Sequence, residues 1–183
     1  MLGTWMGISR SGRWAALANF RDPASQLANP KSRGRLVGNF LCGDTSPFDY
    51  LQDVVLARDS YNPFNLLVGD GAKLFFLCSK AAEIKELTPG LYGLSNQQLD
   101  YPWPKVQKSK QALAQYLDLS QEVEPQALFE ILADEERAPD SQLPATGISY
   151  DLEKLLSSIF IRGTDYGTRS STVLLIDRQQ RVR

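Results

Sequence analysis

The stretch Gly3-Thr4-Trp5-Met6-Gly7-Ile8-Ser9-Arg10-Ser11-Gly12-Arg13-Trp14-Ala15-Ala16-Leu17-Ala18-Asn19-Phe20-Arg21-Asp22-Pro23 decides the fold. Two short apolar runs flank Ser9-Arg10-Ser11-Gly12, the pattern of a β-hairpin whose turn uses the positive φ that Gly12 tolerates. The second run ends in Asn19-Phe20-Arg21-Asp22, so an amide, a guanidinium and a carboxylate are bunched where a strand gives way to a loop. A sheet holds such side chains rigid while the loop leaves them accessible. The hairpin starts within a few residues of Met1, and an N-terminal element is expected before it.

Working outward, residues 24–33 are polar and read as an exposed loop, and residues 34–42 as a short helix weakened by Gly38. Ser46 as N-cap, Pro47 at the first position and Asp49 in the first turn open a better helix carrying Leu51, Val54 and Val55. Residues 64–69 and 73–78 flank Asp70-Gly71, a strong hairpin signal. Both runs are almost continuously apolar, which predicts strands covered on both faces. Residues 84–87 and 91–94 around Thr88-Pro89-Gly90 read as another strand pair. Helices follow at 104–117 and 125–133, then a polar loop at 138–146. Strands are expected at 156–161 and 171–177, with residues 178–183 a turn opening into a further strand. Strands and helices segregate along one domain, residues 1–183, which argues for an α+β layered sandwich of mainly antiparallel sheet.

The chain has 183 residues, 43% of them hydrophobic and 22% charged, enough for a single domain with a real core. A net charge of −1 argues against an electrostatic nucleic-acid binder. No apolar run approaches the roughly 18 residues that cross a bilayer, so no integral membrane segment is expected. Cys42 and Cys78 lack C-x-x-C spacing; they read as buried free thiols, which fits a cytoplasmic location, or else as a single disulfide. With no histidine in the chain, Ser-His-Asp and Cys-His catalysis are excluded within it, and the commonest metal and haem ligand is missing. No metal site is expected.

Three segments pair glycine or a turn with polar residues at strand ends: residues 19–22, Tyr92-Gly93-Leu94-Ser95-Asn96, and Tyr166-Gly167-Thr168-Arg169-Ser170-Ser171-Thr172. Taken singly, each also reads as a turn whose polar atoms satisfy local backbone. Together they supply the candidate site residues: Asn19, Arg21, Asp22, Ser95, Asn96, Tyr166 and Arg169. Tyr101 and Trp103 add aromatic surface for stacking a ligand, or else form an apolar lead-in to the next helix. Arg169 reads as a bidentate clamp for a carboxylate or phosphate, or as an ion-pair partner of Asp165. Lys105, Lys108 and Lys110 read as a solvated helix face.

Taken in order, Gly3-Thr4-Trp5-Met6-Gly7-Ile8, Ala16-Leu17-Ala18-Asn19-Phe20-Arg21-Asp22, Ser32-Arg33-Gly34-Arg35-Leu36-Val37, Tyr61-Asn62-Pro63-Phe64-Asn65-Leu66, Gly90-Leu91-Tyr92-Gly93-Leu94-Ser95-Asn96, Trp103-Pro104-Lys105 and the 166–172 run resemble the NRDE family, also called the transport and Golgi organization protein 2 family. The resemblance implies an N-terminal-nucleophile (Ntn) hydrolase-like, four-layer αββα sandwich, open to further elements at both ends. Family members begin Met-Cys and carry an Asn-Arg-Asp-Glu motif. This sequence has Met1-Leu2, and Asn19-Phe20-Arg21-Asp22 is a later look-alike. By resemblance to related amidohydrolases, Asn96 takes the place of an oxyanion-stabilising amide and Arg169 lines the nucleophile's surroundings. For Asn96, a turn-capping amide is the other reading.

The resemblance implies a small-molecule or lipid-like ligand, hydrophobic and anionic, of the haem or acyl-CoA type. Haem would be cargo and not a prosthetic group, because ligation would fall to Tyr, Met or Cys. The alternative is a cysteine amidohydrolase cleaving linear amide C–N bonds, whose nucleophile's own α-amino group serves as base. That chemistry needs an exposed N-terminal cysteine, which neither Cys42 nor Cys78 supplies. A fold kept for interaction alone is the third reading. All but the last expect Asn19, Asn96 and Arg169 to converge on a shared hollow.

Overall fold

The computed structural model of the chain describes residues 3–179 and 181–183; the Met1-Leu2 start and part of the 178–183 turn lie outside the described residues. The described chain forms two compact units, residues 3–90 with 94–99, and residues 91–93 with 100–183.

In the first unit the opening hairpin forms as its residues predict. β1 (Met6–Ile8) pairs antiparallel with β2 (Trp14–Asn19), with Met6 opposite Ala16. The Ser9 amide donates to the Arg13 carbonyl at 2.7 Å, and Gly12 takes a φ of +80° that would strain any side chain. β3 (Phe64–Gly69) and β4 (Leu74–Cys78) form the second expected hairpin. Its turn is held by Asp70 Oδ1, which accepts from the Ala72 and Lys73 amides at 3.1 and 3.0 Å. β5 (Glu83–Leu87) completes a five-stranded antiparallel meander in the order β1-β2-β3-β4-β5. Its outward Glu83, Lys85 and Glu86 make a charged edge, which discourages pairing with another chain.

α1 (Gly34–Cys42) and α2 (Pro47–Ala57) occupy one face of this sheet. Ser46 caps α2 in both directions: its Oγ accepts from the Asp49 amide at 3.2 Å and donates to Asp49 Oδ2 at 2.6 Å. α1 has no side-chain cap and relies on tertiary contact instead. Gly3 and Gly34 meet backbone to backbone there, and a Cβ on Gly3 would lie 2.6 Å from the Gly34 carbonyl carbon. Arg13 closes the other end of α1. Its guanidinium donates to the carbonyls of Phe40 (3.1 Å) and Thr45 (2.7 Å) and lies 3.9 Å from the Phe40 ring centre.

The core follows from the two-residue period of the strands. Ala15, Leu17, Phe64, Leu66, Val68, Phe75 and Leu77 meet Leu36, Val37 and Phe40 of α1 and Leu51 and Val54 of α2. The opposite face of the sheet carries Asn65, Phe76 and Cys78, which are buried as well. β3 and β4 are therefore closed on both sides, as their unbroken hydrophobicity predicts.

The second unit holds α3 (Pro104–Leu119), α4 (Pro125–Leu132) and α5 (Tyr150–Leu155). The α3 and α4 spans agree with their sequence prediction; α5 does not, because its span falls where no helix is expected. Ser149 caps α5, accepting from the Leu152 amide, with Asp151 and Glu153 in its first turn and Lys154 in its last.

Residues 91–94, 156–161 and 171–175 form no strand, contrary to the sequence reading. At Gly93 the backbone is already used: its N–H donates to Asp100 Oδ1 and its carbonyl accepts the Asp100 amide, both at 2.8 Å. After α5, the Ser157 and Ser158 hydroxyls turn back on the carbonyls of Lys154 (2.7 Å) and Phe160 (2.8 Å), which folds the chain into turns. Near the C-terminal end, among the described residues, an isolated bridge pairs Ile176 with Val182. The structure is α+β, with a five-strand antiparallel sheet and five α-helices among the described residues.

Candidate functional site

Asn19, Arg21, Asp22, Ser95 and Asn96 belong to the first unit, and Tyr101, Trp103, Tyr166 and Arg169 to the second. In the first unit, the end of β2 meets residues 94–99. The Arg21 amide donates to the Asn96 carbonyl at 2.7 Å, and Asn96 Nδ2 donates to the Asn19 carbonyl at 3.0 Å. One N–H of the Asn96 amide is thus committed to a strand carbonyl 77 residues away and not to its own turn. Asn65 Nδ2 anchors the same loop through the Gln97 carbonyl at 2.8 Å.

Two acceptors are left over. Asn19 Oδ1 and Asn65 Oδ1 are buried and have no hydrogen-bond partner among the described residues. Such atoms are costly, and natural folds keep few of them. They lie on opposite faces of the sheet, since Asn19 pairs with Phe64 while Asn65 pairs with Ala18 and Cys78.

Asp22 is committed elsewhere. Its carboxylate accepts from Lys80 Nζ at 2.7 Å and from Ser25 Oγ at 2.7 Å. These bonds hold its pKa below the usual carboxylate range, so it is ionised at neutral pH. Arg21, next to it in sequence, and Ser95, next to Asn96, are both half-buried. Arg33, in the stretch read as exposed, is also half-buried; its Nη1 donates to the Pro63 carbonyl at 2.9 Å, and burial lowers its pKa.

In the second unit Trp103 is buried and Tyr101 stands 43% exposed, with its ring edge-on to Trp103 at 6.1 Å. Of this pair Tyr101 is the surface a ligand would meet. Thr168 closes the 161–168 loop: its Oγ1 accepts from the Ile161 amide at 2.9 Å and its N–H donates to the Ile161 carbonyl at 2.8 Å. Within this loop Tyr166 is 61% exposed, and Arg169, just after it, is exposed too. Arg169 makes no ion pair with Asp165 or any other described residue. The lysines of α3 are engaged locally. Lys105 donates to the Leu156 carbonyl at 2.8 Å, Lys108 pairs with Asp134 and Glu136, and Lys110 bonds Asp100 at 2.6 Å.

Both cysteines are free, but Cys42 is exposed at the end of α1 where a buried thiol was expected; Cys78 is buried. Sequence reasoning also passed over Asn65 and Arg33. Asn65 carried a readable signal, a single amide inside an apolar run; Arg33 carried none beyond its place in a basic loop.

These features define the class as an α+β protein whose antiparallel meander ends in an amide-rich rim. The family model described as Transport and Golgi organisation 2 matches residues 1–183, and the chain belongs to that family. It is similar to the transport and Golgi organization protein 2 homolog of Bos taurus, at 37% identity over 98% of the chain and 70% of the relative. The Homo sapiens and Mus musculus homologs share 34% and 32% identity over the same shares. No helix among the described residues is long and apolar enough to cross a membrane.

Proposed function

We propose that this chain binds and hands on a hydrophobic anionic small molecule, of the haem or acyl-CoA and lipid kind, without transforming it. The observation that carries the reading is the end of β2, where Asn19 Oδ1 waits unpaired in a segment held still by Asn96. A rigid rim with a few unspent polar atoms beside an apolar core is the usual make-up of a small-molecule site. The second unit, taken by itself, presents Tyr166 as an exposed ring and Arg169 as a guanidinium without a carboxylate partner among the described residues. Asp22 is held ionised by Lys80 and Ser25, which makes it a poor proton donor.

The relatives' names refer to transport and Golgi organization, and a part in that process is proposed for this chain. A cytoplasmic setting suits its two free thiols. Haem, as cargo, would be held by packing and by Tyr, Met or Cys, because the chain has no histidine. We also infer that the sheet is half of an Ntn-hydrolase-like αββα sandwich. Its support is the burial of Asn65, Phe76 and Cys78 on the face away from α1 and α2. The cysteine amidohydrolase reading has less support, since Cys42 ends α1 and Cys78 ends β4 and neither has a free α-amino group.

Haemin and palmitoyl-CoA, titrated separately against tryptophan fluorescence, test the proposal. Saturable quenching by at least one is expected. No saturable binding of either overturns it and favours a fold kept for protein interaction.

A further inference from the structure

We propose that Arg33 receives the negatively charged head of the ligand at the end of β2, an inference that rests on the ligand-handling reading above. Arg33 stands directly before α1, and its guanidinium is half-buried. The Pro63 carbonyl that accepts from its Nη1 at 2.9 Å also accepts the Phe20 amide at 3.0 Å. One oxygen therefore joins Arg33 to the residue that follows Asn19. The faces agree as well. Asn19 pairs with Phe64 across the β2–β3 ladder, and Phe64 lies in the core built with α1. The Asn19 side chain is thus on the side of the sheet where the helix preceded by Arg33 packs.

The charge on Arg33 is uncompensated. Arg58 is paired with Asp59, Arg162 with Glu135 and Arg181 with Asp177, all with more than a third of the arginine side chain exposed. Arg33 is half-buried, as Arg58 is, but has no carboxylate partner among the described residues. A guanidinium carries five N–H donors, and one carbonyl leaves most of them unspent. Buried charge is ordinarily paired, because desolvation disfavours the cation; here that penalty lowers the pKa of Arg33. An oxyanion supplies what is missing. A carboxylate or phosphate takes the remaining fork of the guanidinium bidentately. Asn19 Oδ1, an acceptor without a donor, is left to take an N–H or O–H of the same ligand.

The test uses probes that differ only in their head. Dodecyl phosphate, dodecanoate and the uncharged dodecanol are titrated calorimetrically into the wild-type chain, Arg33→Gln and Arg33→Met. The two variants put a polar and an apolar stem in the same space, and whichever melts cooperatively near the wild-type temperature carries the comparison. The wild type is expected to bind at least one anion. Loss of the guanidinium should weaken that anion roughly tenfold or more and change dodecanol by less than about twofold. An anion bound equally well by wild type and variant overturns the assignment of Arg33 and leaves the ligand-handling reading standing. Equal weakening of anion and dodecanol also overturns it, because Arg33 would then serve only as a tether to Pro63. A wild type that binds none of the three probes overturns both.

Discussion

Asn96 Nδ2 donates to the main-chain carbonyl of Asn19 at 3.0 Å, across 77 residues of chain. The return bond, from the Arg21 amide to the Asn96 carbonyl at 2.7 Å, makes a two-point clamp between a loop and a strand end. The rim of the candidate site is rigid because of this clamp.

Replacing Asn96 by Ala removes one of the two points. A loss of about 1 kcal/mol in unfolding free energy is expected, with faster hydrogen exchange at the Arg21 amide. Asn96→Asp should cost more, because it sets a second acceptor against the Asn19 carbonyl. Denaturant melts and exchange mass spectrometry read both effects, and an Asn96→Ala protein with unchanged exchange at Arg21 would contradict the clamp.

Two glycines of the same region should respond in opposite directions. Gly3→Ala drives a Cβ to 2.6 Å from the Gly34 carbonyl carbon, between two backbones that cannot both yield. A destabilisation of about 1–3 kcal/mol is expected. Gly38, inside α1, has nothing within 4 Å of an added Cβ, so Gly38→Ala should stabilise by about 0.5–1 kcal/mol through helix propensity. Thermal melts of the two variants check the contrast.

Acid should release the tether between β2 and the β4–β5 turn. Lys80 and Ser25 hold the pKa of Asp22 below its ordinary value of 3.8. A carboxylate depressed on folding contributes stability that is present above the unfolded value and lost as pH falls through the folded one. Wild type should therefore be more stable than Asp22→Asn at neutral pH, with the difference shrinking below about pH 4. Melts from pH 7 to pH 2 follow it, and a pH-independent difference would contradict the Asp22–Lys80 bond as its source.

In the second unit, Glu153 is 4% exposed and its Oε1 accepts from Thr146 twice, from the amide at 2.8 Å and from Oγ1 at 2.5 Å. Glu153→Ala strands the Thr146 amide, and a cost of about 1–3 kcal/mol is expected. Glu153→Gln keeps an acceptor and should recover much of it. Chemical denaturation distinguishes the two; equal losses would mean that charge, and not the hydrogen bond, carries the effect.

Local chemistry made much of this legible. Ser9–Gly12 and Asp70-Gly71 predict their hairpins because the turn residues and flanking apolar runs act within a few positions of each other. Ser46-Pro47 marks the start of α2 for the same reason. The 91–94 and 156–161 segments misled because their apolar composition suits a strand, while Asp100 and the Ser157 and Ser158 hydroxyls claim the backbone atoms a ladder would use. The helix at Tyr150–Leu155 is marked by the Ser149 cap and the acids of its first turn, a local signal that the sequence reading leaves unassigned.

The sequence by itself determined the family, both hairpins, four of the five helices and the polar character of the β2 end, because each depends on residues near one another in the chain or on motifs in order. Only the tertiary structure decided that Asn96 is spent on the Asn19 carbonyl, that Asn19 and Asn65 keep a buried oxygen unpaired, and that Arg33 lies half-buried without a carboxylate. Those facts depend on which groups meet after strands from distant parts of the chain have paired, and hydrogen bonding and desolvation act on that neighbourhood in space, which no local pattern encodes.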